Sequence, residues 1–164
     1  MRRTGCGTAD ITSVVSGDAR HDVAGELARL CTLLAYPVDA GGMTKRLATL
    51  LASPAHAVKV AASSNDDGDL LGMVAAEWRL MIEFGHRAEI TALIVDPRAR
   101  RLGLGQRLVD AACGWIRDRG GHDVFVRSNV ARPESHAFYP SAGFTLAKTQ
   151  HVYVRWLRSD YGAE

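Results

Sequence analysis

The order of apolar patterns along the chain predicts an α/β (α+β) domain built on a mixed, mostly antiparallel central sheet of about six or seven strands flanked by about four helices. Three observations carry that prediction. The pattern runs β, α, α, β, β, β, α, β, α, β, β, which is not the strict alternation of a doubly wound parallel sheet. The chain has 164 residues, 47% of them hydrophobic and 23% charged, enough for one domain with a real core. No internal repeat or low-complexity segment interrupts it.

The elements follow from periodicity and punctuation. Residues 1–9, MRRTGCGTA, read as a flexible leader, residues 10–158 as a single domain and residues 159–164 as a polar tail. A short strand is expected near Ile11 to Val15. Asp18 is then placed to cap a helix running to about Leu34, because Val23, Leu27, Leu30 and Leu34 recur at helical steps. Tyr36-Pro37 stops that helix, and Met43, Leu47, Leu50 and Leu51 outline a second that ends near Ser53-Pro54. The runs HAVKVAA and LLGMVAAEWRL around SSNDDGD read as strand, turn and longer strand. AEITALIV, Ala88 to Val95, is a third strand stopped by Asp96-Pro97. Leu104, Leu108, Ala112, Trp115 and Ile116 form the apolar stripe of a helix that begins near Gly103 and ends at Gly120-Gly121. DVFVRS reads as a strand, Pro133 to Ser141 as a short helix, and FTLAKT and HVYVRWL as closing strands.

Charge and cysteines narrow the function classes. Twenty Lys and Arg against eighteen Asp and Glu leave a net charge of +2, too balanced to point to nucleic acid or an anionic membrane. Cys6, Cys31 and Cys113 are widely spaced, with no ligand-like pairing to His or to one another, so no metal site is expected. With no signal-like leader and no apolar run long enough to span a bilayer, a reduced, cytoplasmic protein fits.

The sharpest local feature is DPRARRLGLGQRL, Asp96 to Leu108, where a strand leads through two arginines and two glycines into a helix. A helix N-terminus presents unpaired N–H groups and partial positive charge, glycines let ligand oxygens approach the backbone, and Arg100 and Arg101 add formal charge. The competing reading is a plain strand-to-helix turn. No Lys-Ser or Lys-Thr follows the glycines and the third glycine of a dinucleotide fingerprint is missing, so ATP and NAD lose ground.

This segment resembles the acetyl-CoA signature Q/R-x-x-G-x-G/A of the GNAT superfamily of N-acetyltransferases, here Arg100 to Gly105. A second segment, SNVARPESHAFYPSAGF from Ser128 to Phe144, resembles the family pattern SN-x-x-R-x-x-A-H-x-F-Y-x-x-x-G-F, with Ser135 where Ala is usual. The resemblance implies a GNAT fold in which the fourth strand, Ala88 to Val95, splays from the fifth, Asp123 to Ser128, as a V. Acetyl-CoA would be the acetyl donor, its pantetheine arm lying in the V on the backbone of Leu93, Ile94 and Val95. Its pyrophosphate would sit on the N–H groups of Arg101, Leu102, Gly103, Leu104, Gly105 and Gln106, beside Arg100. Asn129 and Arg132 would either bond the cofactor or cap the following helix.

Amide formation from a thioester needs the amine as a free base and the leaving thiolate protonated. By the resemblance Tyr139 is the general acid; otherwise it is an aromatic anchor. Glu89, eleven residues before Arg100, is the candidate base by the same likeness; otherwise it is a strand-end carboxylate paired with Arg87 or His86. Glu77 and Glu83 are alternatives, since Glu77, Arg79, Met81 and Glu83 share one face of a regular strand, where a carboxylate pair could instead bind a cationic substrate. His136, Trp78, Trp115 and Cys113 read as packing or solvated residues. In GNAT proteins the region matching the Tyr36 to Met43 loop helps cover the acceptor, which makes Tyr36 and Asp39 candidate substrate contacts. The expectation is a small-molecule primary amine acetylated by direct attack in a ternary complex. Alternatives are acetylation of a peptide or protein lysine, or a non-catalytic acyl-CoA sensor. The strand HVYVRWL could support a homodimer.

Overall fold

The computed structural model of the chain describes residues 15–63 and 69–157. The chain divides into two compact units, Met1–Asn129 and Val130–Glu164. The expected leader, most of the first strand, the middle of the SSNDDGD turn and the tail lie outside the described residues.

In the first unit the elements run β1 (Val15–Asp18), α1 (Ala24–Thr32), α2 (Ala40–Ala52), β2 (His56–Ala62), β3 (Leu70–Met81), β4 (Gly85–Val95), α3 (Leu104–Arg117) and β5 (Val124–Val126). The described strands form one sheet in the order β1-β2-β3-β4-β5. Every pairing is antiparallel except β4 with β5, which is parallel. The fold class is therefore the expected α/β arrangement on a mixed, mostly antiparallel sheet.

Two layers of helix cover this sheet. Leu27, Leu30, Met43 and Leu47 of α1 and α2 pack on Val58, Val60, Met73 and Ile94, all buried. The alternation of strand side chains assigns the opposite face to α3, whose Leu104, Leu108, Val109, Ala112 and Ile116 are buried. Close approach of α3 depends on Gly72 of β3. A Cβ there would stand 2.8 Å from the Ile94 carbonyl oxygen and 2.9 Å from Leu108 Cδ1, so only glycine fits without displacement.

Several boundaries differ from expectation, each for a local reason. Asp18 ends β1 instead of capping α1: it sits opposite Lys59 in the ladder and pairs with its ammonium. A single 3₁₀ turn, His21–Val23, then leads into α1, which has no side-chain cap. That helix closes before Leu34, because Ala35 takes a left-handed φ of 62° and the Tyr36 N–H returns to the Cys31 carbonyl. Strand β3 stops at Met81, and Glu83 lies in the exposed turn into β4 rather than on a face shared with Glu77.

The second unit holds α4, Pro133–Ser141. No strand forms across residues 145–157, where FTLAKT and HVYVRWL were expected to close the sheet, so the described strands number five rather than six or seven. An alternating run makes a strand only beside a partner edge, and here Leu146, Val152, Tyr153, Val154, Trp156 and Leu157 are exposed.

Candidate active site

The site begins where β4 and β5 part. Strand β4 pairs with β3 from Gly85 to Val95, but with β5 only at Ala88, Glu89 and Ile90. The β3 register steps from Ala76↔Ile90 to Ala75↔Ala92, so Thr91 is the extra residue of a β-bulge, and its hydroxyl donates to the Ala75 carbonyl. A bulge raises local twist and bends the strand that carries it. Just past it, Leu93, Ile94 and Val95 have no strand on the β5 side among the described residues. This is the expected splay, and the open edge suits an extended chain of amides, which would add to it as a further strand.

The turn after β4 is held by a buried carboxylate. Asp96 is 2% exposed. It accepts from Arg98 N at 2.9 Å, from Arg98 Nε and Nη2 at 3.1 and 3.0 Å, and from Arg29 Nη1 at 2.7 Å. Arg29 also binds Glu26 through Nε and Nη2 and donates to the Leu70 carbonyl, while Glu26 accepts the Leu70 N–H. One network thus ties α1, the start of β3 and the end of β4. Burial works to raise the Asp96 carboxyl, but the bonds from Arg98 and Arg29 outweigh it and hold it at about 2.

From that anchor the chain crosses Arg100, Arg101 and Leu102, all exposed, and enters α3 through Gly103. Arg101 and Gly103 both lie in the left-handed region, with φ of 60° and 76°. No side chain caps α3, so the N–H groups of its first turn, Leu104, Gly105 and Gln106, are left to the backbone and to a ligand. Leu104 is buried in the core and Gln106 turns along the helix to Asp110, which leaves their main chains as the polar groups at the turn. Arg100 Nε reaches the Val95 carbonyl at 3.4 Å, linking this turn to the open edge.

At the other end of β4, a row of partners crosses the sheet: His56 opposite Glu77, Glu77 opposite Glu89, and Glu89 opposite Phe125. Arg79 lies two residues beyond Glu77, and Arg127 two beyond Phe125, so their side chains share this face. Arg79 Nη2 approaches Glu77 Oε2 at 2.7 Å and Glu89 Oε2 at 3.3 Å, and Arg127 Nη2 approaches that same Glu89 oxygen at 3.2 Å. The Arg79 hydrogen bond holds the Glu77 carboxyl below the usual range. Glu89 therefore pairs with Arg79 and Arg127, not with Arg87 or His86, the partners of the alternative reading in which it is a plain strand-end carboxylate. Arg87 lies over the rings of Phe84 and Phe125, and His86 stacks on Trp78. His56 Nδ1 is buried without a hydrogen-bond partner among the described residues.

In the second unit, Tyr139 occupies the last turn of α4. Gly143, at φ 88°, lets the Phe144 N–H return to the Tyr139 carbonyl at 3.0 Å and the Gly143 N–H to the Pro140 carbonyl, a Schellman closure. This brings the Phe144 ring edge-on to Tyr139, centroids 5.4 Å apart, with Phe138 packed likewise at 5.3 Å. Glycine and phenylalanine at the end of the second motif thus set the tyrosine ring. Burial pushes the Tyr139 hydroxyl up, against a smaller opposing pull from Arg132. Arg132 stands at the N-cap of α4 without making a side-chain cap bond, and Asn129 closes the first unit.

Of the candidate acceptor contacts, Asp39 caps α2 by accepting the Gly42 N–H at 2.7 Å, which holds its carboxyl low. Tyr36 is exposed in the loop before it, and Glu83 is remote in the ladder from Glu77. Sequence reasoning missed Glu26, Arg29, Arg98 and Arg127, and treated Asp96 only as a strand stop. The three-residue spacing of Glu26 and Arg29 was the available signal for an ion pair.

A model of the acetyltransferase (GNAT) family matches residues 31–144. A mycothiol acetyltransferase of Beutenbergia cavernae is 34% identical over 89 residues, 54% of this chain but only 29% of that protein, so the match spans under a third of the relative. Among solved structures, an aminoglycoside 6'-N-acetyltransferase from Acinetobacter baumannii superposes with a TM-score of 0.77 at 17% identity, covering 89% of this chain and all of the other. An aminoglycoside N-acetyltransferase in complex with CoA gives a TM-score of 0.77 at 16% identity, covering 87% of this chain and 94% of that one. At these identities the structural likeness concerns the fold. Among the described residues, no helix is long and apolar enough to cross a membrane, and no group of His, Cys, Asp and Glu is arranged to hold a metal ion.

Proposed function

Because the chain belongs to the acetyltransferase (GNAT) family, we propose that it is an N-acetyltransferase that moves the acetyl group of acetyl-CoA to a primary amine of a small molecule. The observation that carries this reading is the juxtaposition on β4: an edge free of β5 at Leu93 to Val95, just past the Thr91 bulge, an uncapped helix start beyond it, and Glu89 just before it.

The pantetheine amides bond to the open backbone of Leu93, Ile94 and Val95, and the pyrophosphate takes the N–H groups from Arg101 to Gln106 with the charge of Arg100 beside it. The acceptor amine attacks the thioester carbonyl carbon directly, the C–S bond breaks, and an amide and a thiolate result. Glu89 Oε2 takes the proton of the ammonium, directly or through a water. The Tyr139 hydroxyl, which burial keeps protonated through neutral pH, gives its proton to the thiolate sulfur. Asn129 and Arg132 serve the cofactor side, and Tyr36 and Asp39 the acceptor side. A cytoplasmic location suits the half-buried free thiols of Cys31 and Cys113.

The test is thiol release from acetyl-CoA with amino acids, aminophosphonates, polyamines, aminoglycosides and lysine peptides, with Tyr139→Phe alongside. One class of small amine should turn over, and the variant should lower kcat by about 100-fold. Binding of acetyl-CoA with no amine turned over would contradict the reading and favour the sensor; turnover of lysine peptides alone would favour the protein acceptor.

A further inference from the structure

The cluster around Glu89 specifies more than a base. We propose that the acceptor amine carries an anionic group, a carboxylate or a phosphate-type oxyanion, and that Arg127 binds it; this rests on the acetyltransferase reading above.

Charge balance is the first argument. Glu77 and Glu89 face Arg79 and Arg127, and Arg87, which lies over Phe125 on the same face, adds a third guanidinium, so the two carboxylates on this part of the sheet are outnumbered. A polycation finds no excess negative charge here, and recognising one takes several unmatched carboxylates. The second argument is donor capacity. A guanidinium carries five N–H donors in a planar fork that fits a carboxylate or phosphate with two parallel bonds. Among the described residues Arg127 makes one side-chain hydrogen bond, from Nη2 to Glu89, and its side chain is 67% exposed, against 36% for Arg79, which serves both glutamates. Arg87 is laid against the Phe84 and Phe125 rings, so the exposed fork that already touches Glu89 and keeps donors to spare is Arg127's.

Position is the third argument. The last β4–β5 pair is Ile90 with Val126, so Arg127 is the first residue of the β5 side beyond the pairing, at the mouth of the splay and on the face that carries Glu89. Both guanidinium contacts of Glu89 fall on Oε2. An anion that draws the Arg127 fork to itself takes one donor away from that oxygen, and the amine of the same molecule is then presented to it. Only an amine bearing an anion within a few bonds does both.

The experiment compares matched pairs: O-phosphoethanolamine with ethanolamine, β-alanine with β-alaninamide, and putrescine as the dication. Each is titrated calorimetrically into the full chain saturated with CoA, and each is assayed for thiol release from acetyl-CoA. The anionic member of a pair should bind at least about tenfold more tightly than its neutral partner, equivalent to about 1.4 kcal/mol. Arg127→Gln should erase that preference with the acetyl-CoA KM unchanged, and Arg127→Lys should restore part of it. Equal binding within each pair, tightest binding of putrescine, or a preference that survives Arg127→Gln overturns the proposal. An anion preference lost in Arg127→Gln without acetyl transfer to any amine shows that Arg127 binds the anion of an amine ligand, and overturns both the acetyltransferase reading and the ligand's role as acceptor.

Discussion

Strand β4 carries an acid held by two arginines at each of its ends, and the two arrangements do opposite things. Beyond the C-terminal end, Asp96 is 2% exposed and takes four hydrogen bonds, with both of its oxygens engaged. Nearer the N-terminal end, Glu89 meets both of its arginines through one oxygen, Oε2, and one of the two is mostly in solvent. A carboxylate locked on both oxygens in a buried site fixes geometry and gives up its chemistry. One held on a single oxygen by an exposed partner keeps a proton-accepting position that a substrate can open. The Asp96 network holds the turn on which the donor's pyrophosphate is proposed to sit; the Glu89 cluster is the part that exchanges partners.

The largest effect that would sharpen this contrast is on stability. Asp96→Ala leaves Arg29 and Arg98 facing each other without their carboxylate and should cost about 3 kcal/mol in urea unfolding, with a raised KM for acetyl-CoA. A loss below 1 kcal/mol would put the lock in doubt. The same carboxyl should show itself in acid. Its folded-state value of about 2 lies below its ordinary 3.8, so its contribution, about 2 kcal/mol, is complete above pH 4 and disappears as the pH falls towards 2. Asp96→Asn should flatten unfolding free energy against pH in that window. Gly72→Ala, which places a methyl group against the Ile94 carbonyl and Leu108, should cost about 1 to 3 kcal/mol and push α3 away from the turn, again raising the acetyl-CoA KM. The smallest effect belongs to the exchangeable end: Arg127→Gln should move stability by less than about 0.5 kcal/mol, because an exposed ion pair contributes little. A large loss there would erase the distinction between the two ends.

Much of the fold was legible because it is written in local periods. The apolar runs 56–62, 70–80 and 88–95 and the stripe of α3 appear within about three residues of their expected places, since each buries apolar side chains against one face or the other of the same sheet. What failed was decided by distant partners. Asp18 has the chemistry of a cap, but Lys59 in the neighbouring strand claims it. The run 151–157 has the alternation of a strand and no ladder. At the site, the backbone turn around Gly103 was readable because glycine and the uncapped helix start are local properties. The partners of Glu89 were not, because the parallel register that brings Arg127 beside it is set by a crossover through α3 rather than by neighbouring residues. Arg29 was hidden for the same reason, being 67 positions from Asp96.

The proton-accepting role of Glu89 is tested most directly by steady-state thiol release from acetyl-CoA by Glu89→Gln with the best acceptor. The substitution keeps the shape and the hydrogen-bond acceptor on the sheet while removing the proton acceptor. If Glu89 is the base, kcat falls by about 100-fold, with the acetyl-CoA KM and the unfolding free energy nearly unchanged. A rate within threefold of the unmodified chain would show that Glu89 is a structural ion-pair partner and that the base lies elsewhere.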